Sequence, residues 1–251
     1  MSEAMSAEFD TVAEWTAEAA IRLGPQYFLP AGCRGSGSPA ALDWLVEHLG
    51  LTAGELLLDC GAGVGGPAAY AAEQRSVQPV LVEPEAGACR AGRRLFGSTV
   101  IQASATALPF PDAAFDAAWS LGVLCTVSDQ LALLTELRRA VRAPGRIGLL
   151  VFVSVSSTLL EKPEGNNFPT PEVLSDLIAR AGLRIEARQH LSDMDPPPSQ
   201  WRRRADAVEA ELREQHGHER GWQLAEHQAD LVSRLLDSGA VRGELFSLRS
   251  R

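Results

Sequence analysis

Residues 56–66, LLLDCGAGVGG, hold the densest chemistry in the chain, an apolar strand running straight into Gly61, Gly63, Gly65 and Gly66. Glycines there let the backbone turn tightly and meet a ligand closely, at the strand edge where open α/β sheets bind ligands. Gly61, Gly63 and Gly66 also fit the dinucleotide spacing GxGxxG. Asp59 stands two residues ahead of the first glycine. A fixed carboxylate at that point repels a pyrophosphate but suits a ligand carrying an ammonium or sulfonium group. Glu83 closes the next apolar run, PVLVEPE, 22 positions after Gly61. That spacing suits a carboxylate accepting hydrogen bonds from ribose hydroxyls. Dinucleotide sites share that ribose role, so it is Asp59 that tilts the reading away from a dinucleotide.

With these residues in place, the chain resembles the class I S-adenosylmethionine-dependent methyltransferases, especially the small-molecule group that includes the ubiquinone and menaquinone methyltransferases. The resemblance spans roughly 50–190 and rests on four stretches in order. LLLDCGAGVGG matches the first motif, and Glu83 matches the acid closing the second strand. ASATALPFPDAAFDAAWSLGVL (103–124) is similar to the family's DAxxLPFxDxxFD stretch, and ELRRAVRAPGRIGLLVF (136–152) to its RVLRPGGxL helix, turn and strand. The resemblance implies S-adenosylmethionine as cofactor and S-adenosylhomocysteine as product. It implies a binding set of Asp59, Gly61, Gly63, Gly65, Glu83, Pro84, Ser104, Ala105 and Leu121. Three departures stand out. Ser104 replaces an aspartate that usually accepts from the adenine amino group, so it accepts without charge assistance. Cys125 and Thr126 stand where relatives often carry histidines, and Ala143-Pro144-Gly145 replaces Pro-Gly-Gly.

Arg34, in CRGSGSP just ahead of a helix, is a candidate clamp for the cofactor's carboxylate, since a guanidinium binds carboxylate through two bonds. Among five histidines, His190 ends the sixth strand on the ligand edge with Asp193 close behind, and is the first candidate for a general base. His227 is second. Tyr27, Trp201 and Trp222 are candidates for an acceptor pocket, with packing as the alternative. Arg202–Arg204 precede Asp206, Glu209, Glu211 and Glu214, and pairing along a helix accounts for them. No Asp/Glu/His cluster has ligand spacing, so no metal is expected.

The elements that must position these groups follow from apolar periodicity. Strands are expected at about 55–60, 79–83, 99–102, 115–121, 146–154 and 183–190, with a last one in VRGELFSLRSR. Helices are expected at about 5–23, 39–50, 65–75, 86–95, 129–142, 171–181, 199–216 and 221–238. Alternation of this kind predicts an α/β fold, a doubly wound, seven-stranded, mostly parallel sheet with helices on both faces. Residues 1–38 are read as an N-terminal helical cap segment, and 39–251 as the core, interrupted by a helical lid at about 195–240.

The 251 residues are 45% hydrophobic and 22% charged, which excludes a disordered chain, and no apolar run reaches the roughly 18 residues of a membrane span. Cys33, Cys60, Cys89 and Cys125 lie far apart without zinc spacing, which fits a reducing cytoplasm. The opening MSEAMSAEFD lacks the layout of a signal peptide. A net charge of −9 argues against nucleic acid and anionic membranes as partners. The expected protein is a monomer or homodimer that methylates a small organic molecule. A methyltransferase fold catalysing a cyclisation, or serving as a non-catalytic subunit, stays open because fold does not fix function.

Overall fold

The computed structural model describes residues 3–156, 159 and 161–250; Arg251 of the expected last strand lies outside them. Seven strands form one sheet: β1 (Leu56–Cys60), β2 (Gln78–Glu83), β3 (Thr99–Gln102), β4 (Phe115–Leu121), β5 (Val141–Ser154), β6 (Leu183–His190) and β7 (Val241–Ser250). Their order is β3-β2-β1-β4-β5-β7-β6, and only β7 runs antiparallel to its neighbours. The order reverses between β1 and β4, so their carboxyl ends flank the crevice that such sheets use for ligands.

Adjacent residues of each strand face opposite sides, which builds two cores. Leu58, Ala118 and Leu149 meet Leu133, Leu134 and Leu137 of α7 (Gln130–Ala140) and Leu174 and Ile178 of α8 (Pro171–Arg180). Leu57, Ala117, Trp119 and Leu150 meet Leu42, Leu45 and Leu49 in and after α4 (Pro39–His48). α5 (Gly66–Arg75) and α6 (Ala86–Phe96) follow β1 and β2. Helix α8 starts as its sequence dictates: Thr170 accepts from the Val173 N–H, with Pro171 at the first helical position.

The N-terminus departs from a single helix. It forms α1 (Glu3–Ser6), a π-helical turn (Ala7–Thr11) and α2 (Val12–Leu23), followed by α3 (Phe28–Gly32). Helix α7 ends at Ala140, two residues earlier than expected, because Val141 already pairs with Phe115 of β4. The segment before β7 forms α9 (Ser199–His216) and α10 (Arg220–Asp237). Val12, Ala17, Ala20 and Ala31 pack with Val208, Leu212, Trp222 and Ala225, and against Ala91 and Leu95 of α6. The N-terminal helices and the insertion therefore form one cap fastened to the β2 side of the sheet.

Candidate functional site

The glycine loop is shaped by Glu83. Its Oε2 accepts from the Gly63 N–H at 2.8 Å and its Oε1 from the Glu85 N–H at 3.0 Å. The carboxylate thus ties the β1 loop to the end of β2, and each oxygen keeps a lone pair for a further donor. Gly61, Gly63 and Gly65 all have positive φ, at 75°, 54° and 88°. A Cβ on Gly61 would strike Val123, and one on Gly65 would lie 2.5 Å from Leu81, whereas one on Gly63 meets nothing within 4 Å. Gly63 therefore opens onto the crevice, while its neighbours are glycine for packing.

Asp59 is buried at the end of β1, in register with Trp119 of β4, and its Oδ2 has no hydrogen-bond partner among the described residues. Burial pushes the carboxyl up to about 7, against the pull of the Trp119 indole, and the Glu83 charge raises it further. Burial also pushes Glu83 up to about 7, against the backbone donors of Glu85 and Gly63. Pro84 follows on an exposed bend, its carbonyl accepting from Gln102 at 3.0 Å. Ser104 is exposed beyond β3, its hydroxyl 2.9 Å from that of Thr106, and Ala105 beside it is buried. Leu121 is buried at the end of β4. Arg34 lies in the loop whose Gly35 carbonyl approaches Gly122 just after β4, and its Nε is 3.5 Å from Glu209 of α9. Every residue of the expected cofactor set thus lies on the carboxyl edge of β1, β2, β3 or β4, or on the loop beside it.

These residues fit S-adenosylmethionine. An open glycine backbone, a carboxylate with spare lone pairs and a buried carboxyl oxygen lacking a partner suit a nucleoside carrying positive charge. No group of three or more His, Cys, Asp or Glu side chains among the described residues has the geometry to hold a metal.

Residues 58–149 match a family model described as a methyltransferase domain. The chain is 30% identical over 192 residues to the 27-O-demethylrifamycin SV methyltransferase of Amycolatopsis mediterranei (strain S699), covering 69% of each protein. The chain belongs to the class I S-adenosylmethionine-dependent methyltransferases. Its fold is similar to that of the 4+2 cyclase SpnF (TM-score 0.67, 22% identity, 83% of this chain and 79% of that one). It is also similar to the mycolic acid cyclopropane synthase CmaA1, crystallised with S-adenosylhomocysteine (TM-score 0.65, 16% identity, 83% and 82%). S-adenosylmethionine is the cofactor of this methyltransferase.

The residues expected on the acceptor side are placed differently. His190 ends β6, the edge strand, three strands from β4 and so roughly 14 Å along the sheet. There its Nδ1 lies 3.6 Å from buried Glu244, which also binds Arg188 at 2.6 Å and Arg242 at 3.2 Å. His190 therefore lies beside a cluster of charged side chains on the edge strand, away from the ends of β1 and β4. His227 lies on the exposed face of α10. Trp222 is buried in the cap core, with Tyr27 packed against the same cluster. Trp201 lines a cavity of about 910 Å³ with Leu29, Pro79, Phe96 and Thr99, at the amino ends of β2 and β3 and thus opposite the crevice. Amphipathic spacing marks these aromatics as buried but does not tell cap core from pocket wall.

Two acids at the N-terminus escaped the sequence reading, which placed this segment in a helical cap without assigning it a site residue. Asp10 accepts from the Gly87 N–H at the start of α6, and the peptide carbonyl of Asp10 packs where a Gly87 side chain would stand. Glu8 is partly buried, with Arg34 and Cys125 nearby. The acid-rich first turn carried a signal for such roles, but nothing local says which element it crosses.

The raised carboxyls make a prediction about protons. Between about pH 4 and 7 the folded, ligand-free protein holds protons that exposed carboxyls would have lost, so these groups make stability fall as pH rises through that window. A bound cation favours charged Asp59, and ribose hydroxyls favour charged Glu83, so binding should expel protons. Calorimetry near about pH 6.5, in buffers of different ionisation enthalpy, should show net proton release on S-adenosylmethionine binding. The release should shrink above about pH 8, where both groups are already ionised, and in Glu83→Gln. A release untouched by Glu83→Gln would remove Glu83 from the nucleoside site.

Proposed function

We propose that this methyltransferase moves the methyl group of S-adenosylmethionine onto a small organic acceptor of secondary metabolism, in the cytoplasm, as a monomer or homodimer and without nucleic acid or membrane as partner. The observation that carries this reading is the pair of buried carboxyls, Asp59 and Glu83, around a glycine loop that opens onto the crevice only at Gly63. Glu83 would accept from the ribose hydroxyls, with Asp59 near the charged end. Ser104 and Ala105 would face the adenine, with Pro84 and Leu121 as walls, and Arg34 would hold the carboxylate. The acidic net charge disfavours nucleic acid, and among the described residues no helix is long and apolar enough to cross a membrane.

When bound, the sulfonium supplies an already electrophilic methyl. The chain's own work is then to align the acceptor in line with that carbon and to exclude water. The cap, residues 1–38 with the insertion at about 195–240, would close the crevice for this purpose. The name of the rifamycin relative supports an elaborate small molecule as acceptor. The fold shared with a 4+2 cyclase keeps a non-methylating reaction as the second reading. Incubation with S-adenosylmethionine and a panel of hydroxylated natural products separates the two. Methyl transfer should form one S-adenosylhomocysteine per methylated product. An acceptor consumed with the cofactor bound but unspent would replace methylation by cyclisation.

A further inference from the structure

The π-helical turn Ala7–Thr11 is a strap across the crevice. At one end Asp10 is fastened to the Gly87 N–H, directly after the Glu83 loop. At the other, Met5 packs against Gly165, in a segment whose Asn167 N–H donates to the Cys125 carbonyl at 2.7 Å. Cys125 follows β4, its thiol directed at the Gly122 carbonyl at 3.4 Å. The strap therefore passes from the β2 side to the β4 side over the switch point of the sheet. Single π turns inside helices are frequent at functional sites.

Glu8 lies in the middle of that strap. Two groups from opposite walls reach it electrostatically: Arg34 of the loop beside Gly122, and the Cys125 thiol. No hydrogen bond or ion pair engages Glu8 among the described residues, whereas Arg34 itself sits 3.5 Å from Glu209. Of the histidines, His190 lies beside Glu244 on the edge strand, His216 is stacked on Trp15 with ring centroids 4.0 Å apart, and His227 is on the exposed face of α10. Asp59 and Glu83 belong to the glycine loop. We propose that Glu8 is the proton acceptor for a hydroxyl-bearing acceptor, held by the strap over the end of β4. The proposal rests on the methyl-transfer reading above.

In the step, an oxygen lone pair of the acceptor forms the new O–CH₃ bond. The C–S bond breaks with its electron pair returning to sulfur, which leaves neutral as the thioether. The hydroxyl proton passes to a carboxylate oxygen of Glu8. Burial raises the Glu8 carboxyl, with Arg34 pulling it back, and a carboxyl displaced toward neutrality is a better base than an exposed one.

The test uses the full chain, with Glu8→Gln and Glu8→Asp, S-adenosylhomocysteine as cofactor probe, and a panel of phenols of graded acidity plus aliphatic alcohols. Glu8→Gln should lower the single-turnover methyl-transfer rate by about 100-fold or more. Its S-adenosylhomocysteine affinity should stay within about twofold, and Glu8→Asp should restore part of the rate. The deficit should shrink as the phenol becomes more acidic, because such acceptors ionise unaided; a purely structural role gives no such trend. A rate within about threefold of the parent, a deficit equal across the panel, or a joint loss of S-adenosylhomocysteine binding overturns the proposal. If the parent binds S-adenosylhomocysteine yet methylates nothing, the methyl-transfer reading falls by itself. Glu8 is then read by binding: a hydroxylated panel member should bind the S-adenosylhomocysteine complex of the parent about tenfold more tightly than that of Glu8→Gln, and equal binding refutes the assignment.

Discussion

Gly63→Val should abolish S-adenosylhomocysteine binding while leaving the fold intact. Gly63 sits at φ 54° with open space where a side chain would begin. A β-branched residue there carries a left-handed backbone cost of roughly 1–2 kcal/mol, and its methyl groups enter the volume a nucleoside would fill. It also disturbs the Gly63 N–H that donates to Glu83, and so the carboxylate proposed to bind the ribose. Each 1.4 kcal/mol is about tenfold in affinity, so the combined effects predict a loss beyond about 100-fold. Calorimetry reads the affinity and circular dichroism the fold. Binding within tenfold of the parent, in a folded Gly63→Val protein, would move the cofactor away from this loop.

Gly66→Ala should damage the protein in a different way, through stability. Gly66 opens α5, and its backbone touches that of α3, so an added Cβ would run into the Gly32 carbonyl and the Cys33 nitrogen. The approach is mutual: a Cβ on Gly32 would lie 2.9 Å from the Gly66 Cα and 2.8 Å from the Phe96 ring. Backbone cannot rotate aside as a flexible side chain can, so the cap must lift from the glycine loop. Overpacking of this kind costs roughly 1–3 kcal/mol or more, which for a chain of this size lowers Tm by about 2–12 °C. Gly97→Ala is the control. Its φ of 62° carries the left-handed cost of roughly 1–2 kcal/mol, but no atom lies within 4 Å of the added Cβ. Equal melting losses in the two variants would show that the cap and the loop are not in contact in solution.

The cofactor half of this methyltransferase was legible because its signals are local. A glycine loop, the acid ahead of it and the acid closing the next strand are fixed by a single β1-loop-α5-β2 unit. Strand periodicity put Asp59 and Glu83 at strand ends, and the family resemblance added Ser104 and Leu121; the structure has all four at the ends of β1, β2, β3 and β4. The seven-stranded sheet followed from the same pattern, since a buried parallel strand reads as an apolar run wherever it lies. The edge strand β6 carried no such information about its distance from β4. His190 ends at the carboxyl edge, but the insertion of β7 between β5 and β6 carries it one strand further out.

The acceptor half depends on contacts between segments far apart in the chain. Asp10 meets Gly87, Met5 meets Gly165, and Arg34 meets Glu209, none within reach of any periodicity. Amphipathic helices report only that one face is buried. Whether Trp222 is core or pocket wall depends on which segments surround it, and here it joins Val12, Ala17 and Leu212 in the cap core. The sequence by itself determined the strands, the sheet class and the nucleoside-binding edge, because neighbouring residues impose those through backbone geometry. Only the tertiary structure decided that the first turns reach both α6, through Asp10 and Gly87, and the segment around Gly165, through Met5, because that placement follows from long-range packing of the cap.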